Sequence, residues 1–413
     1  MPESVAIIGA GVVGLACATV LQMRGHPVTL IDPNPPGEGC SFGNAGCLSR
    51  ASCVPLGLPG AWRNVPGWLI DPAAPFTIAP RYAIKVAPWL RQLQRSSTIE
   101  RVNEIADALH PLLTCTIDRW RPLAQRARVP ELIVQNGYAF AYESEKGFNS
   151  DALGRELRSM RGVAIEVLTD DAVRDFEPTL SSACTHLVVL PEQGHCPNPL
   201  RLSRALANTL REAGARFVAQ RVTGFENVDG RVSRVTIDSG VVDANVVVVA
   251  AGAHSKPLAE ALGTVVPLET ERGYHAMLAT PSISPRMPIG SGEGKYIATP
   301  MEEGLRIAGT VELAGLDALP DYRRADVLIA AAQRLFPGLS QTTVTRWMGH
   351  RPSLPDSLPV IARSPKFRNA YFAFGHGHVG LTAAAPTAHL IADLIVGREP
   401  FMSVAPFSPE RFA

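Results

Sequence analysis

Three glycines near the N-terminus have the spacing of a phosphate-binding turn. Gly9, Gly11 and Gly14 lie between two apolar runs, and Asp32 ends the second run 18 residues past Gly14. In such a turn the first glycine permits a sharp bend, the second lets backbone approach a pyrophosphate, and the third lets a helix pack closely on a strand. A carboxylate at the position of Asp32 accepts hydrogen bonds from ribose hydroxyls. The pattern predicts a strand–helix–strand unit that binds a dinucleotide, and the alternative is that the glycines only pack a core helix.

Two later segments also combine a buried strand with glycines. The first is VVVAAGA at 247–253 and the second is FGHGHVGLT at 374–382. Asp32 disfavours a 2′-phosphate and leaves NAD or FAD, but only a flavin ring gains negative charge that a further helix N-terminus would stabilise. The sequence therefore favours FAD. In these segments the expected cofactor contacts are Ala251, Gly252, Gly375, Gly377, His378, Val379, Gly380, Leu381 and Thr382.

Composition excludes several classes of protein. The 413 residues are 46% apolar and 19% charged with a net charge of +1, which argues against intrinsic disorder and against a general nucleic-acid-binding surface. The seven cysteines show no CxxC spacing, so they are interpreted as reduced thiols and a cytoplasmic location is favoured. Val5–Leu21 is free of charge but is interrupted by glycines and follows an acidic start. No later stretch is expected to reach transmembrane length.

The strands that suit a nucleotide-binding sheet are scattered along the chain. They are predicted at 5–8, 28–31, 246–250 and 371–374. The region between 266 and 311 is interpreted as several short strands. The cofactor unit must therefore be discontinuous, with a second, mainly antiparallel unit inserted twice. The predicted division gives residues 1–55, 195–265 and 345–413 to the cofactor unit, and 56–194 and 266–344 to the substrate unit.

Several motifs resemble one family of flavoenzymes. They are SFGNAG at 41–46, IDPNPPGEG at 31–39, TERGYH at 270–275 and WMGHRPSLPDS at 347–357. With the glycine segments, they resemble the D-amino-acid oxidase (DAO) superfamily over essentially the whole chain. The resemblance is to its D-amino-acid dehydrogenase branch, and is closest to glyphosate-oxidoreductase-like members. It implies a Rossmann-like FAD-binding domain of the glutathione-reductase type, of the α/β class, interleaved with an α+β substrate domain.

The resemblance also implies which residues surround the cofactor. Asp32 should hold the ribose, residues 44–48 should line the flavin ring, Val222 should meet the adenine region, and residues 377–382 should cover the pyrimidine edge of the ring. No cysteine lies in 345–380, so noncovalent FAD is expected. The further cofactor contacts expected near the first two strands are Val12, Val13, Pro33, Ser41, Asn44, Ala45, Gly46 and Leu48.

Four residues are candidates for the substrate side of the site. Arg351 matches a family arginine that pairs with the substrate carboxylate, and the alternative is a structural ion pair with Asp356. Tyr274 could hydrogen-bond a carboxylate and His275 could accept a proton, but strand alternation sends only one of them toward a cavity, and both could be core residues. His378 lies beside the expected flavin ring, with loop stabilisation as its alternative. The His-x-His spacing has no third ligand nearby, so no metal is expected.

The favoured function is oxidation of the Cα–N bond of a D-amino acid or a D-imino acid of the D-proline type, with electrons passing to a quinone or another acceptor. Oxidation of N-substituted glycines, with oxygen as an acceptor, stays open, as does a non-catalytic flavoprotein or NAD-binding scaffold. The expected partner is a small amino-acid substrate. Residues 55–69 could form a lid or a membrane or partner contact, so a cytoplasmic enzyme with a peripheral inner-membrane contact also stays open.

Overall fold

A computed structural model describes residues 2–60, 74–340 and 343–413, so most of the segment 55–69 lies outside the described residues. The α-helices of the described part are α1 (Val12–Met23), α2 (Ala83–Arg95), α3 (Ile99–Thr114), α4 (Thr116–Arg126), α5 (Glu145–Ser150), α6 (Ala152–Ser159), α7 (Asp171–Phe176), α8 (Pro199–Glu212), α9 (Ser255–Ala261), α10 (Arg323–Leu335) and α11 (Gly380–Val396). The strands are β1 (Val5–Ile8), β2 (Val28–Ile31), β3 (Cys47–Leu48), β4 (Phe76–Ile78), β5 (Tyr138–Tyr142), β6 (Glu166–Thr169), β7 (His186–Leu190), β8 (Gly194–His195), β9 (Arg216–Val218), β10 (Val222–Val228), β11 (Arg231–Ile237), β12 (Gly240–Asp243), β13 (Val246–Val249), β14 (Glu269–Ala279), β15 (Ile289–Ser291), β16 (Tyr296–Met301), β17 (Gly304–Leu313), β18 (Thr343–Ser353), β19 (Val360–Arg363) and β20 (Ala370–Phe374).

A six-stranded sheet carries the glycine turn. Its order is β19-β20-β13-β1-β2-β9, and all neighbours are parallel except β19 and β20. Alternate residues face two different cores: Ile7 and Val248 pack with the apolar residues of α1 and α11, whereas Ile8 and Val249 pack on the opposite face. Burial on both faces explains the unbroken apolar runs of these strands. The four strands predicted for a nucleotide-binding unit therefore lie in one sheet.

A second sheet of nine strands is mainly antiparallel. Its path is β18-β14-β17-β16-β15-β5-β7-β6, and β4 adds to β17. Among the strands described, only the pairs β15–β5 and β17–β4 are parallel. Helix α10 packs its apolar face on one side of this sheet, where Leu328 and Leu335 join the core formed by Ile307 and Leu278. The α/β plus α+β fold class predicted from the sequence is confirmed.

Two details of the second sheet differ from the sequence prediction. Residues 345–353 were assigned to the cofactor unit, but they form part of β18 and pair with β14 along its whole length. The region 266–311 was interpreted as short strands, but β14 has 11 residues and β17 has 10. Apolar periodicity underestimates such strands, because glycines and charged residues interrupt their pattern. The other domain boundaries stay a prediction.

One helix corrects the expectation about transmembrane length. Gly377–Val396, which includes α11, is 20 residues long with a mean hydropathy of 1.5, so it is long and apolar enough to cross a membrane. Within the fold, 67% of the 18-residue window over which this hydropathy is averaged is buried. Ala384, Ala388 and Ile391 belong to the same core as α1. A helix that is apolar on all sides is also what a protein core requires, so its composition follows from its packing.

Candidate active site

A cavity of about 1350 Å³ lies where the strands of the six-stranded sheet end. Its wall includes the residues that directly follow β1, β2 and β13, together with Phe374 at the end of β20, at the sheet edge where parallel α/β folds bind ligands. The opposite wall reaches the nine-stranded sheet through Glu271, Gly273 and Arg351. Since one drug-sized ligand occupies about 300–1,000 Å³, this cavity has room for a dinucleotide together with a substrate.

The glycine turn needs glycines for steric reasons. Gly9 has φ +110°, and a Cβ atom there would lie 2.4 Å from the carbonyl oxygen of Ala250 in the neighbouring strand. A Cβ on Gly14 would lie 2.0 Å from the Gly9 carbonyl oxygen. Gly14 is not part of the cavity wall. It therefore holds α1 against the turn, while Gly9 and Gly11 face the cavity.

The N-terminus of α1 points its first amides toward the cavity. The first hydrogen bond within the helix runs from Leu15 N to Gly11 O, and the preceding Val12 N donates to Ser41 Oγ at 2.9 Å. Gly11, Val12, Val13 and Ser41 all line the cavity. The amides of a first helical turn and the helix dipole together favour an anion, such as the pyrophosphate of a dinucleotide.

Asp32 ends β2 and lines the cavity. Its Oδ2 accepts a hydrogen bond from Ala10 N and its Oδ1 from Asn34 N, both at 2.8 Å. Each carboxylate oxygen has a further lone pair, so Asp32 can tie the turn to β2 and still accept a ribose hydroxyl. The sequence did not reveal this first role.

The other predicted cofactor contacts divide into two groups. Those that line the cavity are Pro33, Asn44, Ala45, Val222, Ala251, Gly252, Gly377, His378, Val379, Gly380, Leu381 and Thr382. Gly46, Leu48 and Gly375 do not line it, and their contact with the cofactor stays a prediction. Leu48 is fully buried, and Gly46 (φ +81°) and Gly375 (φ +83°) shape the backbone where Cβ atoms would meet Cys196 O at 2.7 Å and Leu354 Cδ1 at 2.5 Å.

The N-terminus of α11 is anchored at the cavity. A short turn of 3-10 helix at Gly377–Val379 leads into α11. Trp120 Nε1 donates to the Leu381 carbonyl at 2.8 Å, and Thr382 Oγ1 donates to the Cys47 carbonyl at 3.0 Å. These bonds fix the N-terminus of α11, so two helix N-termini, those of α1 and α11, face the same cavity. The positive ends of two helix dipoles suit a ligand that carries negative charge at two places.

Two cysteines lie on the cavity wall. Burial raises the pKa of the Cys40 thiol to about 11 and that of the Cys47 thiol to about 12. Neutral thiols are poor nucleophiles, which favours the noncovalent attachment expected from the sequence. The turn, the acidic residue and the two helix N-termini fit FAD: residues 9–13 would hold its pyrophosphate, and residues 377–382 would lie at its ring.

Arg351 reaches across the nine-stranded sheet. It pairs in register with Glu271 of β14, and its guanidinium lies over Gly273, where a Cβ atom would be 2.2 Å from Cζ. Beyond Gly273 the side chain meets β17: Nη1 donates to Thr310 O at 2.9 Å and Nη2 to Gly309 O at 3.4 Å. In the part of the chain that the structure describes, no carboxylate forms an ion pair with Arg351. Its charge is free for a ligand.

A β-bulge presents these two carbonyls. Arg272 pairs with Glu312 and Tyr274 pairs with Gly309, so two residues of β17 stand opposite Gly273 alone. Thr310 is one of the two and has φ +57°. A β-branched residue rarely adopts that conformation, and such strain is concentrated at functional sites. The bulge turns the Gly309 and Thr310 carbonyls toward one guanidinium.

The structural alternative for Arg351 is wrong. Asp356 pairs with Arg411, whose Nε lies 2.7 Å from Asp356 Oδ2. Arg411 also donates to the Leu358 carbonyl at 2.6 Å, so this pair ties the C-terminus to the loop after β18. Arg351 therefore has no part in it.

The neighbouring Tyr274 and His275 already make contacts within the protein. The Tyr274 hydroxyl donates to Glu312 Oε2 at 2.6 Å and accepts from Asp321 N at 3.0 Å, although the residue touches the cavity. His275 does not line the cavity: its Nδ1 is 3.1 Å from Gly43 O, and burial together with the charge of Arg306 lowers its pKa to about 3. The Tyr274 hydroxyl therefore has both a donor and an acceptor partner, and His275 does not reach the cavity wall.

The two histidines of the C-terminal glycine segment have different surroundings. His378 is exposed on the cavity wall. His376 is 2% exposed, its Nε2 lies 3.0 Å from Thr387 Oγ1, and burial lowers its pKa to about 4. His378 can contact a ligand, whereas His376 fixes the start of α11.

Sequence reasoning missed three parts of the cavity wall. Gly273 belongs to the TERGYH motif and had no predicted role, although a glycine inside a strand often marks a place where another group comes close to the backbone. The same signal applies at Gly349 of β18, where a Cβ atom would lie 1.9 Å from the ring of Trp347. Gly43 lies in a turn, and a Cβ atom there would be 2.0 Å from the same ring. Glu271 was also quoted without a role, and it lines the cavity beside Arg351.

Comparison with known proteins agrees with this site. The family model described as "DAO: FAD dependent oxidoreductase" matches residues 4–394. A D-amino-acid oxidase from Bradyrhizobium diazoefficiens is 43% identical over the full length of both chains. A D-amino acid dehydrogenase from Rhizobium rhizogenes is 28% identical over 99% of each chain.

Solved structures share the fold. Glycine oxidase from Geobacillus kaustophilus has a TM-score of 0.76 with 21% identity over 98% of each chain. L-proline dehydrogenase from P. horikoshii has a TM-score of 0.74 with 20% identity, over 100% of this chain and 98% of that one. The chain belongs to the DAO family of FAD-dependent oxidoreductases. It is an FAD-dependent oxidoreductase that acts on an amine.

Proposed function

We propose that the protein oxidises the Cα–N bond of a D-amino acid or a D-imino acid of the D-proline or hydroxy-D-proline type. The observation that carries this proposal is the guanidinium of Arg351, which lies on the cavity wall and forms no ion pair with a carboxylate of the described residues. A guanidinium fork binds a carboxylate through two parallel hydrogen bonds. The names of the relatives, which are D-amino-acid oxidase and D-amino acid dehydrogenase, support the D configuration.

Arg351 would hold the substrate carboxylate so that the Cα–H bond faces the flavin. FAD, when bound, supplies an acceptor for the hydride that leaves Cα. The amine must be neutral at that point, because its lone pair forms the C=N bond as the hydride departs. Water then hydrolyses an acyclic imine to the keto acid and ammonia, whereas a cyclic imine persists. The side chains need only to bind and orient the substrate, which is consistent with a Tyr274 hydroxyl already bonded to Glu312 and a His275 ring outside the cavity wall.

The test is anaerobic bleaching of the flavin absorbance by a panel of amines. D-alanine, D-proline and hydroxy-D-proline should bleach the flavin, and their L enantiomers serve as matched controls. Bleaching by sarcosine and glycine but by no D-amino acid would replace the proposal with oxidation of N-substituted glycines. If no amine bleaches the flavin, the proposal fails.

We also propose that electrons leave to a quinone or a similar acceptor and that the enzyme is cytoplasmic with a peripheral contact at the inner membrane. The cysteines of the fold are free thiols, which supports a reducing compartment. Rapid reoxidation of the reduced flavin by air would instead identify an oxidase. Recovery of the protein in the soluble fraction at both low and high salt would contradict the membrane contact.

A further inference from the structure

Glu271 is a buried carboxylate on the wall of the cavity. It lies on β14 and is 3% exposed. It pairs in register with Arg351, and directly paired residues of antiparallel strands project to the same face of a sheet. Glu271 and Arg351 therefore face the same cavity from adjacent strands, with Gly273 beside them under the guanidinium.

The carboxylate of Glu271 is only partly satisfied. The nearby Ser353 side chain acts to lower the pKa of this carboxyl. Within the described residues, Oε1 has no hydrogen-bond partner, and no lysine or arginine nitrogen forms an ion pair with the group. Burial raises the pKa of Glu271 and the charge of Arg351 opposes that change. A buried carboxylate in this state is stabilised by a cation or a hydrogen-bond donor that enters the cavity.

A second polar atom beside Arg351 is also unpartnered. Thr310 Oγ1 is buried and has no hydrogen-bond partner in the described part of the chain, and the carbonyl of the same residue accepts from Arg351. Among the described residues, the Arg351 guanidinium without an ion pair, Glu271 Oε1 and Thr310 Oγ1 therefore share this part of the cavity wall. This arrangement is complementary to a small ligand that carries an anion and a cation close together.

We propose that Glu271 binds the substrate nitrogen, so that Arg351 and Glu271 together recognise the zwitterion of an α-amino or α-imino acid. In such a substrate one carbon separates the carboxylate from the ammonium group, which matches two side chains on adjacent strands. The inference rests on the proposed function and adds the residue that selects amines over other carboxylic acids. It predicts that loss of the Glu271 charge weakens binding of amino acids but not of carboxylates that lack nitrogen.

The test compares two ligands of one shape in two matched variants. D-proline carries the nitrogen, and tetrahydro-2-furoate of the same configuration replaces it with oxygen. Glu271→Gln removes the charge in the cavity. Glu269→Gln is the control: it lies two residues away on the same strand, outside the cavity wall, with its carboxylate bonded to the Tyr82 hydroxyl. The dissociation constant of D-proline comes from the concentration dependence of anaerobic flavin reduction, and that of the furoate from its perturbation of the flavin spectrum.

Glu271→Gln should weaken D-proline binding about tenfold or more, as loss of a charged hydrogen bond does, and leave furoate binding unchanged or tighter. Glu269→Gln should change neither ligand. An unchanged ratio of the two dissociation constants in Glu271→Gln overturns the inference, and equal weakening of both ligands does so too, because Glu271 would then act only through Arg351.

If Glu271→Gln does not retain flavin, the same two dissociation constants are measured in Glu271→Asp, where D-proline should again bind more weakly relative to the furoate. If the wild-type flavin is reduced by D-alanine but not D-proline, D-alanine and propionate replace the pair. Failure of every amine to reduce the wild-type flavin refutes the proposed function itself.

Discussion

Gly273→Ala tests whether the position of Arg351 determines carboxylate binding. The substituted Cβ would lie 2.2 Å from both Cζ and Nη2 of Arg351 and 2.7 Å from Nη1. Carbon atoms in ordinary contact are about 3.5–4.0 Å apart. The guanidinium must therefore move by more than an ångström, which breaks its 2.9 Å hydrogen bond to Thr310 O. Gly273 does not have a positive φ, so the backbone itself accepts alanine.

The expected magnitude follows from the hydrogen bonds that the displaced guanidinium loses. A hydrogen bond to a charged group contributes about 1.5–3 kcal/mol. Since about 1.4 kcal/mol corresponds to a factor of ten, loss of one bond to the substrate carboxylate should weaken binding between about tenfold and a hundredfold. The rate of flavin reduction at saturating substrate should fall less, because saturation restores occupancy of the site.

The assay is a spectral titration of the flavin with tetrahydro-2-furoate, together with anaerobic reduction by D-proline. Gly224→Ala is the matched control, because Gly224 also lies in a strand, its φ is not positive, and nothing lies within 4 Å of a Cβ at that position. Both variants should retain flavin and melt close to the wild type. Wild-type affinity for both ligands in Gly273→Ala would refute the assignment of Arg351 as the carboxylate anchor.

Three further substitutions test other parts of the structure. Asp32→Ala should release FAD more readily on dilution without changing the reduction rate of the holoenzyme; retention of wild-type FAD affinity would contradict the ribose assignment. Tyr274→Phe removes a 2.6 Å hydrogen bond to Glu312, which should lower the melting temperature and leave substrate affinity unchanged; a selective loss of affinity would return Tyr274 to the substrate site. Burial lowers the pKa of His376 to about 4, below its usual value of about 6.5. At a pH between these two pKa values, this histidine is protonated in the unfolded chain but neutral in the folded protein. Stability from this group is present above pH 6.5 and is lost as the pH falls toward 4, by up to about 3 kcal/mol; His376→Gln should show a smaller loss of melting temperature over that window, and an equal loss would contradict the neutral buried state.

The sequence predicted the cofactor side of the site better than the substrate side. The turn at Gly9–Gly14 is a local signal, because glycine spacing, apolar runs and Asp32 all lie within one continuous unit. The burial of the Leu48 side chain could not be predicted for a local reason as well, because a two-residue strand has no readable period.

The substrate side depends on pairing between segments that are distant in the chain. The roles of Gly273 and Glu271 follow from the register between β14 and β18, and the carbonyls that meet Arg351 follow from a bulge in β17. Register and bulges are set by tertiary packing, and a slip of one residue would exchange the two faces of the strand. For the same reason the sequence could state that Tyr274 and His275 face opposite sides but not which partners each of them meets there.

The most direct test of the account is anaerobic titration of the purified protein with D-amino acids while the flavin absorbance is recorded. The account predicts a yellow protein whose flavin bleaches with at least one D-amino or D-imino acid, does not bleach with the L enantiomer, and requires a much higher substrate concentration in Arg351→Ala. A colourless protein that releases no FAD on heating would contradict the cofactor assignment. A flavin that no amine reduces, or that is reduced equally well in Arg351→Ala, would contradict the substrate site.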